Sequence, residues 1–387
     1  MRDNYAHRTV SFQESVIRKM TRVCQQYGGI NLAQGFPEKE PPAEVIQEAL
    51  QAIRNGNNQY SITWGQKALR EAVAQKVQKF NGINADPERE VTITCGSSEG
   101  LIASLLGLVN PGEKVIIFEP FYENYLPGLA LCGATPLFVH LRPPAWAIDM
   151  EELERAFAQN PRAIILNSPG NPSGKVFSQN ELEIIAHYCQ EREVLVITDE
   201  IYEHIIYDGL EHIPMAKLPG MWERTVTVSG CSKTYSATGW RVGYVVAHHN
   251  IMDAIRKVHD YLVVAAPTPF QIAAVLALNL PDSYYDELKK YYQERRDFLL
   301  KLFAELSIPV LRPAGAYYMM IQIDHLGYLN DEDFAMALVE KAGIATVPGS
   351  SFYHLPEDGK DKVRLCFAKK WSTLYEVQER LTKFLKG

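Results

Sequence analysis

Lys233 stands in the run Ser229-Gly-Cys-Ser-Lys-Thr-Tyr-Ser-Ala-Thr-Gly-Trp-Arg-Val-Gly-Tyr244, between two apolar stretches, Thr225-Val-Thr-Val228 and Tyr244-Val-Val-Ala247. These flanks predict two buried strands joined by a tight, small-residue loop that holds the lysine. An ammonium group is strongly hydrated and is seldom put in such a place without a partner. A lysine desolvated near a second cation has a depressed pKa, and its neutral amine attacks carbonyls. Arg241, eight positions on, offers that cation and also a planar fork for a phosphate. A reactive amine beside an anion clamp suits a small molecule carrying both an aldehyde and a phosphate.

Other groups of the right type lie where strands should end. Asp199 closes the apolar run Val194-Leu-Val-Ile-Thr198, and Tyr202 follows three residues later. An acidic pair such as Asp199-Glu200 after a strand commonly caps a loop or helix. With Lys233 34 positions downstream on a neighbouring strand end, membership of one site is the better reading. The carboxylates and imidazole of Asp199-Glu-Ile-Tyr-Glu-His204 suggest a metal as rival chemistry, but the spacing fits no recognised ligand pattern, and no metal is expected. Ser168-Pro-Gly-Asn-Pro-Ser-Gly-Lys175 has three residues between its glycines and Val176 after its lysine, so it is a Pro/Gly turn and not a P-loop. No G-x-G-x-x-G run exists, which removes the nicotinamide fingerprint. Gly96-Ser97-Ser98 opens a helix after a strand, where free amides and the helix dipole favour an anion. Arg364, inside Val363-Arg-Leu-Cys-Phe367, is costly in an apolar strand unless it meets a planar anion.

The elements that must position these groups alternate. Short β-branched runs (91–94, 114–118, 135–139, 163–166, 194–198) are separated by helical patterns, including one from about Gln179 to Glu191. Strands of this kind predict a mostly parallel sheet covered on both faces. After about residue 280 the pattern changes to a long polar helix (Tyr284 to Leu306), a strand from Ala316 to Ile323, a helix near 331–342 and a strand at 363–367. That is the pattern of a smaller α+β domain.

Seven of these segments, in one order across about residues 30–370, resemble the class I/II aminotransferases of fold type I, nearest the glutamine/kynurenine/methionine branch. The resemblance implies an α/β large domain with a mostly parallel central sheet at 46–280. Residues 1–45 would then pack with a smaller domain at 281–387. It implies pyridoxal 5′-phosphate (PLP) held by Lys233 as a Schiff base, with Asp199 on the pyridinium nitrogen and Tyr202 and Asn171 on the ring O3′. Ser97, Ser98 and Arg241 would cradle the phosphate, and Tyr122, in Pro120-Phe-Tyr-Glu-Asn-Tyr125, would stack on the ring. Tyr60, in Asn58-Gln-Tyr-Ser-Ile-Thr-Trp-Gly65, would reach the neighbouring subunit's phosphate in a homodimer. Arg364 and the Gly35 amide, in Leu32-Ala-Gln-Gly-Phe-Pro37, would receive the substrate carboxylate. The analogy also implies cis bonds at Glu119-Pro120 and Asn171-Pro172.

Two positions depart from the family pattern. Gly230 replaces a hydroxyl residue often found three positions before the lysine, leaving Ser229 or Ser232 to substitute. Ser98 stands where aspartate-type members tend to carry a lysine for the second carboxylate. A site without a second cation desolvates a dicarboxylate only at a cost, whereas Phe36, Tyr60 and Tyr122 offer apolar packing. The expected reaction therefore moves the amino group of a neutral amino acid (methionine, phenylalanine, tyrosine, glutamine or kynurenine) to a 2-oxo acid. A β-eliminating C–S lyase and an aspartate-type aminotransferase use the same motifs and remain alternatives. A non-catalytic PLP-fold sensor would carry an appended DNA-binding module, and none is visible.

Bulk properties agree with a soluble enzyme. The 387 residues are 47% hydrophobic and 22% charged, with a formal net charge of -7 that disfavours nucleic acid or an anionic membrane as partner. Six cysteines without C-x-x-C pairing read as reduced thiols of a cytoplasmic protein. No secretory signal and no window of about 18 apolar residues is present.

Overall fold

The computed structural model describes residues 6–10, 12 and 14–386. A short strand, β1 (Ile30–Asn31), precedes eight strands that share one sheet. These are β2 (Val91–Thr94), β3 (Lys114–Glu119), β4 (Thr135–Arg142), β5 (Ala147–Ile148), β6 (Ala163–Asn167), β7 (Leu195–Asp199), β8 (Thr225–Gly230) and β9 (Gly243–Ala247). Their spatial order is β2-β9-β8-β7-β6-β3-β4-β5. The five from β8 to β4 run parallel, while β9 is antiparallel to both neighbours and β5 is antiparallel to β4.

Alternation within the strands explains why both faces are covered. Ile116, Ile164 and Val196 point into one core with Leu182 and Ile185 of the helix Gln179–Glu191. Their chain neighbours Ile117, Ile165 and Ile197 point the other way, onto Leu101 and Leu105 of the helix Gly96–Leu108 and Ile255 of the helix His249–Val263. A period of two with both sets apolar yields a continuous hydrophobic run, the expected signature of a doubly covered sheet.

Four further strands, β10 (Val310–Leu311), β11 (Tyr318–Gln322), β13 (Val347–Pro348) and β14 (Lys362–Cys366), form a separate antiparallel sheet in the order β10-β11-β14-β13. Between them β12 (Ile344–Ala345) pairs in parallel with β1, so the residue-30 segment is hydrogen-bonded to the C-terminal third. The long polar helix spans Asp282–Glu305 and the later one Asp331–Ala342.

Lys233 is a correction in detail. It lies in a single helical turn, Cys231–Thr234, that coils directly off β8, where the sequence predicts a tight loop. Gly230 allows this, because a Cβ there would come 2.7 Å from the Cα of Gly243 on β9. The same crowding is a physical reason for the missing hydroxyl side chain at that position. Glu119-Pro120 and Asn171-Pro172 are both cis, as are Pro143-Pro144 and Ser168-Pro169. All six cysteines are free thiols. No helix among the described residues is long and apolar enough to cross a membrane.

Candidate active site

A cavity of about 480 Å³ opens where the parallel strands end, at the carboxyl edge where open α/β sheets bind ligands. Gly35, Ser97, Ser98, Tyr122, Asn171, Asp199, Tyr202, Lys233 and Arg241 all line it. Arg364 is fully buried on β14 just behind, joined to the lining by an Nη1 donation to Asn171 Oδ1 at 2.8 Å. Tyr60 does not line the cavity of its own chain; it is 83% exposed on the surface.

Asp199 occupies the last position of β7, and its carboxyl is buried. Tyr125 Oη donates to Oδ2 at 2.9 Å, while Oδ1 has no hydrogen-bond partner among the described residues. Burial pushes its pKa up to about 6, against the Tyr125 hydrogen bond, the Ile201 amide and the Lys233 charge. A buried carboxylate oxygen without a donor is costly, so this atom fits a ligand that brings an N–H.

Lys233 Nζ donates to the carbonyl of Gly35 at 2.8 Å. Burial lowers its pKa to about 8; Arg241 and Arg364 add to the fall, while Cys366 and Asp199 oppose it. Desolvation is thus the first cause and the arginines are secondary. Gly35 holds this geometry because a Cβ would stand 1.7 Å from Tyr318 Oη. Tyr318 in turn shares a 3.0 Å hydrogen bond with Tyr202 Oη, and Tyr317 Oη donates to Gly35 O at 3.1 Å.

At the helix Gly96–Leu108, Ser97 and Ser98 sit in the first turn, and Glu99 accepts from the Cys95 amide. Arg241, in the left-handed region at φ 55°, donates Nη1 to Thr238 O at 3.0 Å and Nη2 to Cys95 O at 3.4 Å. Its guanidinium lies so close that a Cβ on Gly96, itself at φ +74°, would fall 2.2 Å from Nη2. Free amides, two hydroxyls and a guanidinium therefore converge on one corner of the cavity. Of the two serines left open by the sequence, Ser232 lines the cavity, whereas Ser229 turns away and donates to Glu203 Oε1 at 2.8 Å.

Arg364 donates Nη2 to the carbonyl of Ala33 and stacks over Tyr318 with its Cζ 4.4 Å from the ring centroid. Its Nε has no partner, and among the described residues it forms no ion pair. A buried guanidinium without a carboxylate requires an anion from outside. Asn167, at the end of β6, ties these parts together: Nδ2 donates to Asp199 O at 2.9 Å, and Oδ1 accepts from the Asn171 amide at 2.7 Å.

Tyr125, Tyr318, Asn167 and Arg18 escaped sequence reasoning, although each lines or supports the cavity. For Tyr125 the only signal was its place in Pro120-Phe-Tyr-Glu-Asn-Tyr125. Behind the site, Glu200, Glu203 and His212 bring possible metal-ligand atoms within 4.8 Å of one another. Glu203 already meets a resident cation there, the Lys76 ammonium at 2.6 Å.

The family model described as "Aminotransferase class I and II" matches residues 27–381. Methionine aminotransferase of Escherichia coli K12 is 36% identical over 367 residues, covering 95% of each chain. Human kynurenine–oxoglutarate transaminase 1 is 34% identical over 400 residues, covering 95% of this chain and 94% of its own. The solved structure of N-succinyldiaminopimelate aminotransferase from Mycobacterium tuberculosis superposes with a TM-score of 0.96 at 36% identity, over 98% of this chain and 100% of its own. A cavity holding a depressed lysine, an orphaned carboxylate oxygen and an anion corner has the same meaning as these likenesses: the chain belongs to the class I and II aminotransferases, PLP-dependent transferases of fold type I.

Proposed function

We propose that the cavity binds PLP through the residues named above and transfers the amino group of a neutral L-amino acid to a 2-oxo acid. The observation that carries this reading is the pairing, across one cavity, of the Lys233 amine near pKa 8 with the unpartnered Asp199 Oδ1. When bound, PLP supplies an electron sink for negative charge at the substrate Cα. Asp199 Oδ1 would accept the ring N–H, while Tyr125 holds Oδ2. Lys233 Nζ, held by the Gly35 carbonyl, would be the amine that holds the cofactor's aldehyde carbon and the base that carries the substrate Cα proton. Ser97, Ser98, Ser232 and Arg241 would hold the phosphate, Tyr122 would pack on the ring, and Tyr202 with Asn171 would serve O3′. Arg364 Nε receives the substrate carboxylate.

A homodimer completes this reading. Tyr60, Ile62, Tyr261, Leu262 and Val264 are exposed apolar residues. Val264, β-branched, holds φ 66°, a strained state of the kind that collects at contact sites. Tyr60 would then serve the partner's phosphate. The domain division at 46–280 against 1–45 with 281–387 is proposed on the two separate sheets and the β1–β12 pairing, and a cytoplasmic location on the free thiols.

The relatives that act on methionine and kynurenine support a neutral donor. A panel of donors with several 2-oxo acids tests it. Oxo-acid-dependent turnover with equimolar amino product, and higher kcat/KM for methionine, phenylalanine, tyrosine, glutamine or kynurenine than for aspartate, is expected. Release of a thiol without an oxo acid would identify a C–S lyase instead, and aspartate surpassing all five donors would overturn the donor class.

A further inference from the structure

Behind the anion corner lies a buried ring that the proposed function does not use. His259, on the helix His249–Val263, has no exposed surface. Its Nδ1 stands 3.1 Å from both carboxylate oxygens of Glu99, and its Nε2 lies 2.8 Å from the carbonyl oxygen of Thr63. A neutral imidazole has one N–H and one lone pair. A carbonyl and an ionised carboxylate both only accept, so with an ionised Glu99 both ring nitrogens must carry hydrogen. Either the ring is an imidazolium beside a carboxylate, or Glu99 keeps the proton and donates it to Nδ1. The two arrangements differ only in where one proton sits, and in both the pair has no net charge. Burial pushes the His259 pKa down, but the hydrogen bond and charge of Glu99 outweigh it and hold the value above that of an ordinary imidazole.

The place of Glu99 gives this neutrality a consequence. It sits in the first turn of the helix Gly96–Leu108, its side chain 9% exposed, and its Oε2 also accepts the Cys95 amide at 3.1 Å. Ser97 and Ser98 of the same turn line the cavity, and Arg241 Nη2 reaches the Cys95 carbonyl at 3.4 Å. A carboxylate is stabilised at a helix N-terminus, but here it competes with the phosphate for the same positive end. Two like charges at such close quarters, poorly screened by water, repel strongly. Among the described residues His259 is the one ion-pair partner of Glu99. Resting on the proposed function, we infer that His259 is a positioning residue that acts on the cofactor phosphate through Glu99: it cancels the charge of a carboxylate that the fold puts at the phosphate end of the helix.

The test compares PLP with pyridoxal, which has the aldehyde but no phosphate. The full chain is stripped of cofactor and titrated with each, following visible absorbance, while circular dichroism checks the fold. In His259→Gln the dissociation constant for PLP rises at least about tenfold, the order expected for one uncompensated charge near a phosphate, and that for pyridoxal stays within about twofold, the scatter of a neutral substitution. Adding Glu99→Gln to His259→Gln restores most of the lost PLP affinity, which a merely structural histidine would not allow. Glu99→Gln alone, which keeps the pair neutral and covers the case of a misfolded His259→Gln, leaves PLP affinity within about twofold of wild type. Equal losses for PLP and pyridoxal, no rescue in the double variant, or a tenfold loss in Glu99→Gln alone overturns the inference and leaves the aminotransferase reading intact. A wild type that binds PLP no tighter than pyridoxal removes the phosphate site itself, and with it both the proposed function and the inference.

Discussion

At the scale of single residues, burial does most of the chemistry-setting. Burial is the main cause of the lowered basicity of Lys233, with Arg241 and Arg364 adding to it and Cys366 and Asp199 opposing it. A base with a lowered folded pKa is neutral above that value, so the nucleophilic amine is populated above about pH 8 instead of about 10.4. Reloading of cofactor-free protein with PLP should therefore speed up through pH 8 and level off above it, followed by the growth of visible absorbance. A rise centred near pH 10 would mean that the amine is solvated. Asp199 moves in the opposite sense, up to about 6, because its carboxylate lacks water and one oxygen lacks a donor. Asp199→Ala should leave the thermal midpoint nearly unchanged and lower kcat by orders of magnitude, since an unprotonated ring is a poor electron sink. A loss confined to PLP affinity would make Asp199 a structural residue.

At the scale of elements, strand ends and helix starts carry the site. The parallel strands β6, β7 and β8 deliver Asn167, Asp199 and Lys233 at or just beyond their carboxyl ends, and the turn at Gly96 lets the guanidinium of Arg241 lie against the first helical turn. Gly96→Ala forces that guanidinium aside and adds a left-handed strain of about 1 kcal/mol. The expected result is a PLP dissociation constant at least about tenfold higher with the fold retained, measured by equilibrium titration and circular dichroism. Unchanged affinity would remove Arg241 from the phosphate site. The strands were legible because their apolar runs are bounded by turn residues, and the Gln179–Glu191 helix because Ser178 and Glu181 form a capping box. The coil at Lys233 was not, because it depends on the approach of β9 to Gly230, a contact between segments. Tyr318 and Arg18 were hidden for the same reason: neither lies in a chemically marked segment, and folding alone brings them to the cavity.

For the whole molecule, one chain supplies a nearly complete site and leaves apolar side chains on its surface. Tyr60, Tyr261 and Leu262 are exposed, as the interface of the proposed homodimer would require. Sedimentation should give a species of twice the chain mass. Tyr60→Ala should weaken PLP binding several-fold while the absorbance maximum of bound PLP is kept, because in the proposed homodimer the tyrosine would act from the partner. A monomer with full activity would contradict the shared site. The family resemblance was readable along nearly the whole sequence because its motifs fall at strand ends in a fixed order.

Lys233 is the residue on which the chemistry of the site turns. Borohydride reduction of the yellow holoenzyme, followed by proteolysis and mass spectrometry, fixes a pyridoxyl group to whichever amine held the cofactor. The label is expected on Lys233 alone, in the peptide containing Ser232 and Thr234. A label on any other lysine, or none after reduction of active enzyme, would contradict it.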